Sequence, residues 1–194
     1  MTQDKNIWIN LKAGEVSSLK NLYDEYYQTL YNFGKRMTSD VLLIEDAIQD
    51  TFLAIWKYKA TTTIPANVKQ YLIRVFRNQL LKLLKTGFSD RTVEEAYSFQ
   101  FEVAIDEIII EGEAVAVLKD KLNKALAGLT DRQREIIYYR FYENFSFEEI
   151  AIIMNMQTRA TYKLTARALA ALKMHIGYRL FYLLLFAEFR LLAR

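Results

Sequence analysis

The 194-residue sequence has no cysteine, one proline, one histidine and six glycines. Without cysteine there are no disulfides and no thiolate metal sites. With His175 as the only imidazole, His-based catalysis and most metal centres are excluded, and the Glu-x-x-His pairs of a carboxylate-bridged metal protein are missing. So little Gly and Pro leaves almost nothing to punctuate β-hairpins, and with 52% hydrophobic residues the chain is predicted to be globular and all-α. No cofactor, metal, catalytic residue or small-molecule substrate is expected. The N-terminal MTQDKNIWIN lacks a basic region followed by a long apolar run, which predicts no signal peptide and a cytoplasmic location.

The next absence is local. No acidic residue lies between Thr51 and Ser89, where Lys57, Lys59, Lys69, Arg74, Arg77, Lys82 and Lys85 accumulate. The sign then reverses: Asp90, Glu94, Glu95, Glu102, Asp106, Glu107, Glu111 and Glu113 face one base, Arg91. The net charge of +3 conceals this segregation. It predicts two small helical domains, 1–87 and 116–176, joined by an acidic linker 88–115 and followed by an apolar tail 177–194.

Three amphipathic stretches are predicted in the first domain, at about 15–37, 40–58 and 67–86. In the second, Val41, Ile44, Ile48, Phe52 and Ile55 share an arc suited to the core, and Ser39 can cap its start. Asp46, Gln49, Asp50 and Leu53 fall opposite. Like charges one turn apart cost a helix roughly 0.2–0.5 kcal/mol, and Asp50 lies too far along to be explained by the helix dipole. A solvated ridge and a surface for a basic partner both remain open. The third stretch sets Leu72, Ile73, Phe76, Leu80, Leu83 and Leu84 against Arg74, Arg77, Lys82 and Lys85, with Tyr71 and Asn78 among the cations. Cations for phosphate, a ring for stacking and an amide for base edges suit a nucleic-acid surface. The polar loop before it carries Thr61, Thr62, Thr63 and Asn67 around the only proline, as a base-covering loop or a mere connector would.

The second domain carries paired capping boxes, Thr130 with Gln133 and Ser146 with Glu149, and helices are predicted at about 130–141, 146–153 and 157–174. Asn155 sits where a tight turn needs the left-handed region, and Ala151 is small enough for a close crossing. Ile150, Met156, Leu164 and Leu169 are expected to pack the angle of this helix-turn-helix. On its last helix Arg159, Lys163 and Arg167 recur at i, i+4 and i+8, suited to phosphates, with Thr158, Thr161, Tyr162 and Thr165 as candidate groove readers. Two function classes fit: a stand-alone helix-turn-helix regulator, and a factor with a second nucleic-acid site along 69–85.

With LYDEYYQTLYNFGKRMTSD, IEDAIQDTFLAIW and VKQYLIRVFRNQLLKLLK followed by LTDRQREIIYYRFYENFSFEEIAIIMNMQTRATYKLTARALAALK, the chain resembles the extracytoplasmic-function (ECF) sigma factors of bacterial RNA polymerase over about residues 15–176. The resemblance implies sigma region 2 and then sigma region 4, a transcription initiation factor and no enzyme. It implies that Asp46, Gln49, Asp50 and Leu53 dock on the clamp of core RNA polymerase. It places Thr61, Thr62, Thr63, Asn67, Tyr71, Arg74, Arg77, Asn78, Lys82 and Lys85 on the opened minus-10 element, with a base flipped into the loop. Gln157, Thr158, Arg159, Thr161, Tyr162, Lys163, Thr165 and Arg167 would read the duplex minus-35 element. Where region 4 usually has Ser or Thr opening this helix and a Thr-Val pair soon after, this chain has Gln157 and Ala160-Thr161. Core polymerase and promoter DNA are the implied partners, with an anti-sigma factor as a further one. The tail has no counterpart in the resemblance. Its apolar run is too short to span a bilayer, and self-docking, self-association and a membrane surface all stay open for it.

Overall fold

The computed structural model describes residues 2–86, 98–102 and 113–176, with side chains placed for 5–86, 98–102 and 120–174. The chain divides into two compact units, Met1–Ser98 and Phe99–Arg194. All regular structure among the described residues is helical, and no helix there is long and apolar enough to cross a membrane. The tail and most linker carboxylates lie outside the described residues.

The first unit holds α1 (Thr2–Lys12), α2 (Val16–Gly34), α3 (Val41–Tyr58) and α4 (Val68–Thr86). The spacing of apolar residues builds its core: Leu22, Tyr26, Leu30 and Phe33 from α2 meet Ile44, Ile48, Phe52 and Ile55 from α3 and Leu72, Ile73, Phe76 and Leu80 from α4. Helix α1 was not among the predicted stretches. Its Trp8 and Leu11 are fully buried, and Gly14, at φ +94°, turns the chain from α1 into α2.

Two expectations for α3 are corrected. Asp40, not Ser39, is the cap, its Oδ1 accepting from the N–H groups of Leu42 and Leu43 at 3.0 and 3.2 Å. Both residues can cap, but Asp40 is itself held by a bond from its N–H to Thr38 Oγ1 at 3.2 Å. Val41, expected in the core, is 41% exposed because it stands at the first helical turn, ahead of the crossing with α2.

The second unit holds α5 (Glu113–Ala127), α6 (Asp131–Ile137), a π-helical turn Tyr138–Tyr142 that prolongs α6, α7 (Phe147–Ile153) and α8 (Thr158–Ile176). Both capping boxes form. Asn155 adopts φ 50°, as the turn demands, and Asn144 does the same at φ 56° after the π turn. There the Glu143 N–H donates to Tyr138 O and the Phe145 N–H to Tyr139 O, each at 3.0 Å, closing the widened helix end.

Part of the expected linker belongs to this unit. Phe99 is fully buried and Phe101 nearly so, both against Tyr138, with ring centroids 5.6 and 5.3 Å away. The Phe99 N–H donates to Asp131 Oδ1 at 2.7 Å, and Arg134 Nη1 donates to Phe99 O at 2.8 Å. The acidic composition of the segment hides these two aromatic anchors.

The helices cross closely at Gly34, where a Cβ would lie 2.8 Å from Ile44 Cγ2 and 3.0 Å from Phe76 Cζ. Gly34→Ala is therefore expected to overpack the crossing of α2, α3 and α4 and to destabilise by about 1–3 kcal/mol. Urea unfolding measures this, and an unchanged midpoint would show that the crossing relaxes.

Candidate protein and nucleic-acid interfaces

Burial of one side of α3 leaves the other in solvent. Asp46, Gln49 and Asp50 are exposed, and Leu53 is 65% exposed. Leu42, not foreseen as part of this face, is 73% exposed. The series 42, 46, 49/50, 53 runs straight up the helix, so two leucines bracket the carboxylates. An uncovered leucine pair around paired acids suits a partner that brings apolar surface and basic side chains together.

Beside this stripe α2 carries a tyrosine ladder at i, i+4 and i+8. Tyr23 and Tyr27 have centroids 5.3 Å apart, Tyr27 and Tyr31 6.0 Å apart, and Tyr23 lies 5.1 Å from Phe52 of α3. Desolvation, with the Glu45 carboxylate second, raises the Tyr27 phenol above its ordinary value, so that ring is neutral at physiological pH.

The loop from Lys59 to Asn67 is fastened at both ends. The hydroxyls of Thr61 and Thr62 donate to Tyr58 O at 3.1 and 2.9 Å, closing the end of α3. Asn67 Oδ1 accepts from the Gln70 N–H at 3.0 Å and caps α4. Three of the four polar loop residues singled out in the sequence therefore have local structural bonds. Thr63 stands exposed between them, beside the 36%-exposed Ile64.

On α4 the stripe 71, 74, 78, 82, 85 is continuous: Arg74, Asn78, Lys82 and Lys85 are exposed, and Tyr71 is half-buried with its ring edge-on to Trp8 at 5.2 Å. Arg77 does not belong to it. It is 6% exposed, because 73, 77, 80 and 84 form the buried stripe and place it one turn from Ile73. Charge assigned Arg77 to the outer face; the helical period assigns it to the inner one.

On α8 the period makes the same correction. Arg159, Tyr162, Lys163 and Arg167 form the outward face, flanked by exposed Gln157 and half-buried Thr158. Thr161 and Thr165, expected as groove readers, are 0% and 4% exposed, and with Ala168 and Leu172 they form the inward stripe. The Thr161 hydroxyl donates to Thr158 O at 2.6 Å, with Phe147 O at 3.4 Å. Leu164, Leu169 and Met156, expected to fill the angle, are only half-buried, whereas Ile150 is fully buried. Thr161, whose hydroxyl also lies near Phe147 O, stands where α8 meets the start of α7.

The sequence reading also missed what holds Tyr162. Its ring centroid lies 3.9 Å from that of Phe147, and the Arg140 guanidinium sits 5.0 Å from the Phe147 centroid. Arg140 Nη1 donates to Phe145 O at 3.0 Å. A half-exposed ring is thereby fixed beside Arg159 and Lys163. Among the described residues no three His, Asp or Glu side chains gather as a metal site.

Comparison with known proteins gives these faces a family. Residues 22–87 match the Sigma-70 region 2 model and residues 125–174 the Sigma-70 region 4 model, together more than half of the chain. The chain is 26% identical over 151 residues to the ECF RNA polymerase sigma factor SigL of Mycobacterium tuberculosis, covering 72% of this chain and 77% of SigL. It is 24% identical over 140 residues to the ECF RNA polymerase sigma factor SigM of Bacillus subtilis, covering 72% and 83%. Among solved structures it shares its fold with CnrH in complex with the cytosolic domain of CnrY, at TM-score 0.56, 17% identity and 88% and 95% coverage. It shares it also with RpoE in complex with the anti-sigma factor NepR from Bartonella quintana, at TM-score 0.55, 23% identity and 83% and 98% coverage. The presence of region 2 beside region 4 overturns the alternative of a stand-alone helix-turn-helix regulator. The chain belongs to the ECF sigma factors, and its function is transcription initiation.

Proposed function

We propose a division of that function among the three exposed faces. The α3 face of Asp46, Gln49, Asp50 and Leu53, extended by Leu42, docks on the clamp of core RNA polymerase. The loop 61–67 and the α4 stripe of Tyr71, Arg74, Asn78, Lys82 and Lys85 hold the opened minus-10 element. The α8 face of Gln157, Thr158, Arg159, Tyr162, Lys163 and Arg167 reads the duplex minus-35 element. The observation that carries this reading is the partition of each helix: acids with exposed leucines on α3, unbroken cations with an aromatic on α4 and on α8.

The chemistry of each face fits its assignment. Lys82 and Lys85 lie beyond Tyr71 and Arg74 on one stripe, so a strand tracking it meets a ring and then cations for phosphate. On α8 the fixed Tyr162 ring presents an apolar edge for thymine methyl groups, and Arg159, Lys163 and Arg167 flank it for phosphates. Buried Arg77, Thr161 and Thr165 are given no contact with DNA. Neither polymerase docking nor promoter recognition by these faces calls for a catalytic group, and the protein is read as a non-enzyme acting in the cytoplasm. An anti-sigma partner belongs to the same reading, supported by the fold shared with RpoE, which was solved with NepR.

Asp50→Lys or Leu53→Ala is expected to weaken core polymerase binding at least tenfold while unfolding stability stays within about 0.5 kcal/mol. Fluorescence anisotropy with core enzyme checks this, and parental affinity for Asp50→Lys removes the clamp assignment.

For α8, each of Arg159→Ala, Lys163→Ala and Arg167→Ala is expected to lower the salt slope of promoter binding by about one. A triple variant with parental salt dependence removes α8 from the DNA interface.

Thr165→Val separates fold from readout. Thr165 Oγ1 is buried with no hydrogen-bond partner among the described residues, so the isosteric methyl should stabilise by about 1 kcal/mol. Promoter affinity should stay within about twofold of the parent, and a change in sequence preference would return Thr165 to the interface.

A further inference from the structure

Helix α1 lies ahead of both matched sigma regions, yet it makes two contacts with the region that the proposed function assigns to the opened minus-10 element. Lys12 Nζ donates to Thr62 O at 2.7 Å, across 50 residues of sequence. Trp8, fully buried, meets Tyr71 edge to face at 5.2 Å with the ring planes 84° apart. The first contact grips the backbone of the loop. The second fixes the one aromatic ring on the α4 stripe.

Each has a physical consequence for a site that must receive a base. A loop carbonyl bonded by an ammonium is held at one distance from the helix that carries the ammonium, and a bond to a charged donor is stronger than a neutral one. The loop's ends are already fastened by Thr61 and Thr62 on Tyr58 O and by Asn67 on α4. Lys12 adds a second, longer-range hold at Thr62, one residue before exposed Thr63. A ring to be stacked on by a base works best when its plane is set beforehand, and an edge-to-face partner of zero exposure sets it. Loop and ring lie on different segments, so a single helix touching both keeps their separation constant.

We propose that Lys12 and Trp8 are positioning residues for promoter opening: α1 holds the loop 61–67 and the Tyr71 ring at the fixed spacing that an unstacked base requires. The inference rests on the assignment of that loop and of Tyr71 to the minus-10 element. Neither Lys12 nor Trp8 touches DNA in this account. Lys12→Arg keeps a charged donor of similar reach and preserves the function; Lys12→Met keeps the stem and loses the bond.

The test uses the full chain reconstituted with core polymerase. The promoter is one selected from a library by run-off transcription, and the probes are its minus-10 element as a single-stranded oligonucleotide and its minus-35 element as a duplex. Lys12→Met is expected to weaken binding of the single strand about tenfold and to slow opening of the whole promoter, read by fluorescence of a 2-aminopurine placed in the minus-10 element. Affinity for core polymerase and for the minus-35 duplex should stay parental, and Lys12→Arg should restore the single-strand affinity. Thr63→Glu, which sets a carboxylate in the exposed part of the loop, should also weaken the single strand. If Thr63→Glu weakens it and Lys12→Met leaves it parental, the positioning role is overturned and the loop assignment stands. Parental affinity for Thr63→Glu overturns the loop assignment and this inference with it. Loss of polymerase affinity in Lys12→Met, or no recovery with Lys12→Arg, shows a role in folding alone and overturns the inference.

Discussion

Each unit of this chain is made of a few short helices around a small core, so every helix must give one side to burial and has only the other to offer a partner. The crossing at Gly34 shows how little slack there is: a single methyl group would meet Ile44 at 2.8 Å and Phe76 at 3.0 Å. With α2, α3 and α4 held this closely, their rotation about their own axes is fixed. The rotation decides that Asp46 and Leu53 face solvent and that Arg77 does not. Function here follows from what the core leaves over.

The same constraint explains which residues reward close inspection. Exposed leucines are costly in water, at about 25 cal/mol per Å² of apolar surface, and Leu42 and Leu53 stand 73% and 65% exposed beside two exposed acids. Exposed cations are cheap individually, but an unbroken run without a countercharge builds a field that favours polyanions. In α8 the field is combined with a held ring, since Phe147 packs at a tilt against Tyr162 and the Arg140 guanidinium lies over Phe147.

Much of this was legible in the sequence. The all-helical class, the edges of α3, α4 and α7, both capping boxes and the left-handed Asn155 follow from local rules that act within a few residues. The failures are instructive because they share a cause. Arg77, Thr161 and Thr165 were assigned to outer faces by their chemistry, whereas the helical period assigns them inward; a buried threonine can satisfy its hydroxyl on its own helix, as Thr161 does on Thr158 O. Helix α1 was missed because its apolar residues are few and its Trp8 packs against Tyr71, far along the chain. The Phe99–Phe101 anchor was hidden by surrounding acids, and the π turn by a run of aromatics without a distinctive period. Ser39 and Asp40 are equally good caps, and only the preceding Thr38 contact separates them.

The central claim is that one set of helix faces holds the fold while the opposite set engages polymerase first and promoter second. Hydroxyl-radical footprinting of the side chains, read by mass spectrometry on the free chain, on the holoenzyme and on the holoenzyme with promoter, tests it most directly. The account predicts that Leu42 and Leu53 lose reactivity when core polymerase binds, and that Tyr71 and Tyr162 lose it only when promoter is added. Leu53 as reactive in the holoenzyme as in the free chain, or Tyr162 equally reactive with and without promoter, would contradict it.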